Sequence, residues 1–456
     1  MKVAIVGGGI SGLATAAALE VRGCETVVIE AEARAGGKVR TEVDEGFLCE
    51  WGPTGFLDRE PASRALCERL GLTDRLLTAS PAAKDRFIMH EGALVAVPTS
   101  PPAFLRSPLL SRRGRLRVIS EPFRAARRDG YDESVAEFGA RRIGSEAVDT
   151  LLDPMVSGIF AGDVHRLSIA SAFPRMVELE QKYGSLVRAM LAVARERKRS
   201  GTKGGGPAGP GGELMSFRAG MQEPVDALAR RLGDRLITGA PAQAIQKQPG
   251  THWVVHLAGG RRVEADRLVL AVPAPACAAL LAPLDGTLAE LVGGIPYANI
   301  AILLLGLRRE HVAHPLGGFG LLIPRKEGRR ALGMIWTSTL FPGRAPEGHV
   351  LIDARVGGAT DPSAIDLDDD ALEALVRKEL GEQIGLRGPT AFRKVYRHQG
   401  GIPQYVVGHR ERLSRIEREL HHQPGLYLTG NAFRGVGFND CVREAGTVAD
   451  RIATST

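Results

Sequence analysis

The chain has 456 residues, 44% of them hydrophobic and 24% charged, with a formal net charge of +7. That is too long for one compact core, so two or three domains are expected, and the composition excludes a disordered or low-complexity chain. No apolar run approaches the ~18 residues of a spanning helix. Five cysteines are scattered without metal-ligand spacing, and Lys2 leads into a strand and a glycine run rather than a secretory apolar core. A cytoplasmic chain with free thiols and no metal is therefore expected. The positive charge is either solvated surface or a preference for an acidic ligand or an anionic membrane, and no pattern suggests nucleic acid.

Residues 2–6 read as a buried strand. The turn Gly7-Gly8-Gly9-Ile10-Ser11-Gly12 follows, then an Ala-rich helix to about Arg22, then a strand over 25–29 ending at Glu30. The G-x-G-x-x-G spacing in this β-α-β setting reads as a dinucleotide site. The glycines let the backbone approach a pyrophosphate at the helix N-terminus, and Glu30, followed by Ala31, is placed to accept from a ribose diol. Next comes Arg34-Ala35-Gly36-Gly37-Lys38-Val39-Arg40. It is similar to the R-x-G-G-[RK]-x-R segment of amine-oxidase-type flavoproteins, which favours FAD over NAD.

From about 86 to 200 the pattern turns helical and basic. Arg106, Arg112, Arg113, Arg115, Arg117, Arg124, Arg127 and Arg128 face one acid, Glu121, with Leu105, Leu109, Leu110, Leu116, Val118, Ile119 and Phe123 interleaved. This is a solvated helix face or a surface that lies on an anionic bilayer; 186–199 is a second candidate. Residues 201–212 are a flexible Gly-rich loop by composition. Strands are expected at 236–237, 253–257 and 267–272. A separate mixed sheet is expected from 300–305, 320–323 and 350–354. A late strand follows at 426–430 and a final helix at about 439–452.

Further motifs are Glu50-Trp51-Gly52-Pro53-Thr54-Gly55, Asp85-Arg86-Phe87-Ile88, residues 158–163, Gly318-Phe319-Gly320, Gly401-Ile402-Pro403-Gln404-Tyr405 and residues 430–441. With the two N-terminal motifs, and collinear over the whole chain, they resemble the flavin-dependent protoporphyrinogen oxidases. The resemblance implies an α/β and α+β architecture. A Rossmann-like FAD domain would come from 1–85, 213–290 and 426–456, a mixed-sheet substrate domain from 291–425, and a helical membrane-associating domain from 86–200. It implies non-covalent FAD and six-electron oxidation of protoporphyrinogen IX. Dioxygen would be reduced to hydrogen peroxide, at a peripheral membrane site. A homodimer is left open.

Residue by residue, the resemblance implies cofactor contacts at Gly7 through Gly12, Glu30, Ala31, Gly37, Lys38, Gly52, Pro53, Thr54, Gly55, Ala242, Gly430, Val436, Gly437 and Phe438. Asn439-Asp440 would cap a helix whose positive end faces the flavin. Arg86 would pair with a substrate propionate. Ile300, Leu316 and Trp336 would flank the macrocycle, and the Gly158 backbone would face it. Three departures stand out: Ala242 where the family often has Val, His398 where it often has Trp, and a bulky Trp336. No catalytic acid or base is evident, and neither G-x-S-x-G nor H-E-x-x-H occurs. The alternatives are coproporphyrinogen III oxidation, another flavoenzyme such as an amine oxidase or carotenoid desaturase, and a non-catalytic flavin-binding membrane sensor. Cys441, after Asn439-Asp440, is misplaced for a covalent flavin link. Hydrogen peroxide release with a porphyrinogen, with an amine or with neither separates these readings. One cation against apolar walls favours protoporphyrinogen IX, because two further carboxylates would be buried unpaired.

Overall fold

The computed structural model describes residues 1–200, 212–249 and 252–455. The expected Gly-rich loop, apart from Gly212, lies outside them. A five-stranded parallel sheet runs in the order Leu236–Ile237, Glu25–Ile29, Lys2–Val6, Arg267–Leu270, Leu426–Leu428. Its strands are continuous apolar runs because both faces are covered, one by helices and the other by a three-stranded antiparallel sheet, Ala242–Lys247, Trp253–Leu257 and Arg262–Ala265, together with helices Ala274–Leu281 and Gly286–Gly293. The helices Ile10–Val21 and Phe438–Thr454 pack together on one side, with Leu13, Leu19, Val448 and Ile452 buried between them. On the other side lie Trp253, Val255, Leu281 and Val292. Strands Lys2–Val6 and Arg267–Leu270, neighbours in this sheet, come from segments more than 200 residues apart in the chain.

The second sheet has seven strands, in the order Phe392–Pro403, Tyr297–Arg308, His349–Gly357, Ala331–Ile335, Gly320–Leu322, Arg86–His90, Ala93–Ala96. All neighbours are antiparallel except Gly320–Leu322 with Arg86–His90. Two boundaries are corrected here. Residues 86–96 are not the start of the helical domain: Phe87 and Met89 turn into the core of this sheet, so alternation ties the segment to it. Helix His409–Leu420 belongs with the parallel sheet rather than with the substrate domain, since Ile416 is buried among Leu291, Val292 and Leu426.

The helical layer starts at Pro101–Arg106 and ends at Leu186–Ser200. Its acid Glu121 is fully buried. It pairs with buried Arg142, accepts from the Ser185 hydroxyl at 2.5 Å, and accepts from the backbone of Leu186 and Val187, holding the start of the last helix. Several arginines of the basic run serve the fold. Arg117 donates to the carbonyls of Ala140, Arg141 and Arg142 at the end of helix Val135–Arg142, Arg115 to those of Leu105 and Ser107, and Arg127 to Glu133. Arg106, Arg112, Arg113, Arg124 and Arg128 stay exposed, beside exposed Leu105, Leu116, Ile119 and Phe123. No described helix is long and apolar enough to cross a membrane.

Candidate functional site

The carboxyl ends of parallel strands form a crevice at the sheet edge, where doubly wound folds bind ligands. Here that edge carries the turn after Lys2–Val6 and the loop after Leu426–Leu428. A side chain at Gly7, where φ is +112°, would meet the Ala271 carbonyl oxygen at 2.7 Å, and one at Gly12 would collide with the Gly7 carbonyl. At Gly9 and Gly430 nothing lies within 4 Å. The first pair lets the backbone fold this tightly, and the second leaves free space for a ligand. Glu30 accepts from the amides of Gly8 at 2.7 Å and Glu32 at 2.9 Å, one on each carboxylate oxygen. Each oxygen keeps a lone pair for a ribose hydroxyl. Ile10 and Ser11 are buried in the first helical turn, and Ala31 is exposed at the strand end.

The second motif lies against the first. Gly36 donates to the Gly8 carbonyl at 2.8 Å, and Gly37, at φ +57°, packs on Gly9. Half-buried Ala242 opens the strand after Ala240, whose amide donates to the Glu30 carbonyl at 3.0 Å, which places it beside the dinucleotide edge. Gly52, Pro53, Thr54 and Gly55 form a half-buried turn pressed on its neighbours. A Cβ at Gly52 would lie 2.6 Å from the Lys38 carbonyl, and one at Gly55 2.5 Å from that of Met215. These glycines form a cradle that fits a flavin dinucleotide: backbone amides and open space rather than side chains. The helix caps differ from expectation. Gly437 is the N-cap, Asp440 reaches back to its amide at 3.2 Å, and Asn439 donates to the Leu57 carbonyl at 2.6 Å instead. The Phe438 ring is core against Phe56, so only its backbone is at the helix mouth. Val436 packs toward the helical layer.

One face of the seven-stranded sheet turns to this cradle. Register places His398 opposite Ile300, Arg355 opposite Ile302 and Gly333, and Arg86 opposite Gly320. Paired residues share a face. Arg355 donates to Asp353 and to the Gly52 carbonyl at 3.2 Å, and the His398 Nε2 lies 2.6 Å from the Trp51 carbonyl. Arg86 is half-buried over the Phe319 ring. Its Nε is buried with no partner among the described residues, and burial depresses its pKa. A desolvated, unpaired guanidinium is a site for an anion. Gly158 belongs here too, because a side chain there would meet Leu322 at 2.8 Å. Ile300 is on this face but is almost covered by neighbours that include Ala161 and Ile402.

Leu316 and Trp336 are not walls of this site. They are 1% and 0% exposed and lie on the opposite face of the sheet, where Trp336 packs against Phe87 and His314. The reason is strand alternation: Phe87 points away from the side that Arg86 faces.

Three ionisable groups line this region, and of them the sequence reading missed Glu50 with its partner Arg344. Lys38 is half-buried, donates to the carbonyls of Gly400 and Gly401, and is pushed down to about 8 by burial. Glu50 is buried, accepts from Thr41 at 2.6 Å and Met221 at 3.0 Å, and lies 3.7 Å from buried Arg344. Burial pushes it up to about 7 and pushes Arg344 down. His398 is held below its ordinary pKa by burial, with Lys38 and Arg355 adding to the effect. The adjacency of Glu50 to the Trp51-Gly52 motif and the Asp353-Ala354-Arg355 pair within an apolar strand were the available signals.

A family description, flavin containing amine oxidoreductase, matches residues 10–453. The coproporphyrinogen III oxidase of Bacillus subtilis (strain 168) is 30% identical, over 96% of this chain and 95% of its own. The chloroplastic protoporphyrinogen oxidase of Oryza sativa subsp. japonica is 32% identical, over 98% and 87%. A solved structure from Exiguobacterium sp. 255-15, provisionally assigned as a protoporphyrinogen oxidase, superposes with a TM-score of 0.84 at 27% identity, over 100% of this chain and 99% of its own.

Proposed function

This chain belongs to the flavin containing amine oxidoreductases, and from that premise we propose that it oxidises protoporphyrinogen IX to protoporphyrin IX. Bound FAD supplies the electron acceptor for the six-electron change, with dioxygen as final oxidant and hydrogen peroxide as product. The observation that carries the reading is Arg86: a guanidinium with no partner among the described residues, on the sheet face that turns to the glycine cradle, with the Gly158 helix over the neighbouring strand at Leu322. Its fork binds a propionate, and the apolar residues around it exclude water from the ring. The relatives that oxidise porphyrinogens support the substrate class.

The residues keep the flavin non-covalent in this reading: Cys441 is buried against Ser11, inside the helix packing. A second reading, coproporphyrinogen III, is favoured by the Bacillus relative and its near-complete overlap. Porphyrin fluorescence under air, comparing kcat/KM for the two porphyrinogens, decides between them. A clear preference for coproporphyrinogen III overturns the first substrate and leaves the oxidase standing. No oxidation of either overturns both.

Peripheral, cytoplasmic-side membrane contact is part of the proposal. It is supported by the exposed Arg106, Arg112, Arg113, Arg124 and Arg128 around the exposed rings and chains of Phe123, Leu116, Leu105 and Ile119. The five unpaired cysteines agree with a reducing compartment.

A further inference from the structure

The segment after strand Phe392–Pro403 has no role in the reading above, yet it touches three parts of the molecule. Toward the helical layer, the Gln404 amide donates to the Phe160 carbonyl at 2.8 Å, at the end of the helix Asp153–Phe160 that carries Gly158. The Tyr405 carbonyl accepts from Ser168 at 2.8 Å, Val407 donates to the Arg166 carbonyl at 2.9 Å, and Gly408 donates to Asp132 at 2.8 Å. Toward the cradle, the Tyr405 hydroxyl donates to the Asn431 carbonyl at 2.5 Å and accepts from the Gly435 amide at 2.8 Å. The His409 ring stacks on the Tyr405 ring at 4.3 Å and 17°, and its Nε2 lies 3.0 Å from the Phe433 carbonyl. Tyr405 is 1% exposed, and burial holds its hydroxyl well above the ordinary tyrosine pKa, so the proton stays available.

The loop that these groups hold leaves the carboxyl end of Leu426–Leu428 and ends at the first turn of Phe438–Thr454. That turn adjoins the dinucleotide turn, since Cys441 is hydrogen-bonded to Ser11. Gly435 sits at φ +105°, where any side chain would run into Asp440. Arg434 anchors the loop to Glu417 and Glu444, but Gly435 has no side chain to fix its own peptide, and the group that holds its amide is the Tyr405 hydroxyl.

We propose that Tyr405 is a positioning residue for the flavin: its hydroxyl, backed by His409, fixes the loop Asn431–Gly437 and so aims the first amides of helix Phe438–Thr454 at the flavin ring. The inference rests on the flavin assignment and not on the choice of substrate. A helix N-terminus favours negative charge, and its influence fades within about one turn. Preorganised amides therefore stabilise the reduced, more electron-rich flavin more than the oxidised form. A slack loop loses that difference first.

Tyr405→Phe keeps the ring and its stack and removes only the hydroxyl. Two half-buried backbone groups then lose their partner, so FAD should dissociate roughly 10-fold more readily. The preference for reduced over oxidised flavin should fall about tenfold as well, a drop of about 30 mV in midpoint potential for a two-electron couple. Dye-coupled reduction of the holoenzyme reads this without any porphyrinogen, so an inactive wild type would sink the substrate reading and leave this one intact. Gln404→Met, which frees the Asp153–Phe160 helix end on the other side, should leave the potential unchanged. An unchanged potential in Tyr405→Phe, with only a lower melting temperature, would overturn the proposal. An equal shift in Gln404→Met would do the same, because the effect would then be general loosening. If Tyr405→Phe does not accumulate as holoenzyme, His409→Gln loosens the same loop from beneath and carries the same test.

Discussion

The cradle and the sheet face opposite it are built on different principles. The cradle is backbone: glycines at 7, 9, 12, 52, 55 and 430 supply tight turns and open space, and the chemistry is carried by amides and helix ends. The sheet face is side chains: Arg86, Arg355 and His398 come from three strands spread over more than 300 residues of chain and meet only through register. A backbone site tolerates no added atoms but is indifferent to most distant changes. A side-chain site loses one interaction at a time and depends on which way each strand alternates.

The largest effect should come from adding atoms to the cradle. Gly9→Trp fills the open space at the dinucleotide turn, so purified protein should carry no flavin absorbance while its far-ultraviolet circular dichroism stays that of the wild type. Retained flavin would break the contrast at its root.

Next, Trp336→Ala tests the far side of the sheet. Truncating a buried Trp costs about 3–5 kcal/mol of stability, visible as a lower denaturation midpoint. KM for the porphyrinogen should hardly move. A large rise in KM with unaltered stability would return Trp336 to the substrate wall.

Beneath the cradle, Glu50 gives a pH signature. Its folded-state pKa, about 7, lies above the ordinary 4.5 because burial favours the neutral acid. The folded state therefore holds more protons than the unfolded one between these values, and stability should fall as pH rises from about 4.5 to about 7. The loss is on the order of 3 kcal/mol. Glu50→Gln should flatten that slope; an unchanged slope would show that the carboxylate is already ionised against Arg344.

Arg86→Ala should lower kcat/KM by roughly 10- to 150-fold, or ~1.5–3 kcal/mol, with FAD retained. Equal kinetics would remove Arg86 from substrate binding. The smallest effect is at the helical surface. Each exposed arginine should add ~1 kcal/mol to binding of anionic vesicles, and co-sedimentation should fall with salt. Equal binding to neutral vesicles would argue for apolar insertion alone.

The sequence by itself determined the cofactor and the glycine turn that points to it, because local spacing suffices there. A glycine turn between a strand and a helix has one dominant geometry, and Glu30 follows at the end of the next strand. The parallel sheet, the mixed sheet and the final helix were legible in the same way, from apolar runs and breaks. Only the tertiary structure decided which face of the mixed sheet meets the cradle. Adjacent residues on a strand point oppositely, so Arg86 entered the site and Trp336, two strands along but on the other side, entered the core. It also decided that strands 86–96 join that sheet, since a short alternating segment between a loop and a basic helical run has no local mark of its partner. The buried pair Glu50–Arg344 and the hydrogen bonds of Tyr405 to Asn431 and Gly435 join segments that are apart in the chain, and the residue types alone do not reveal whom they meet.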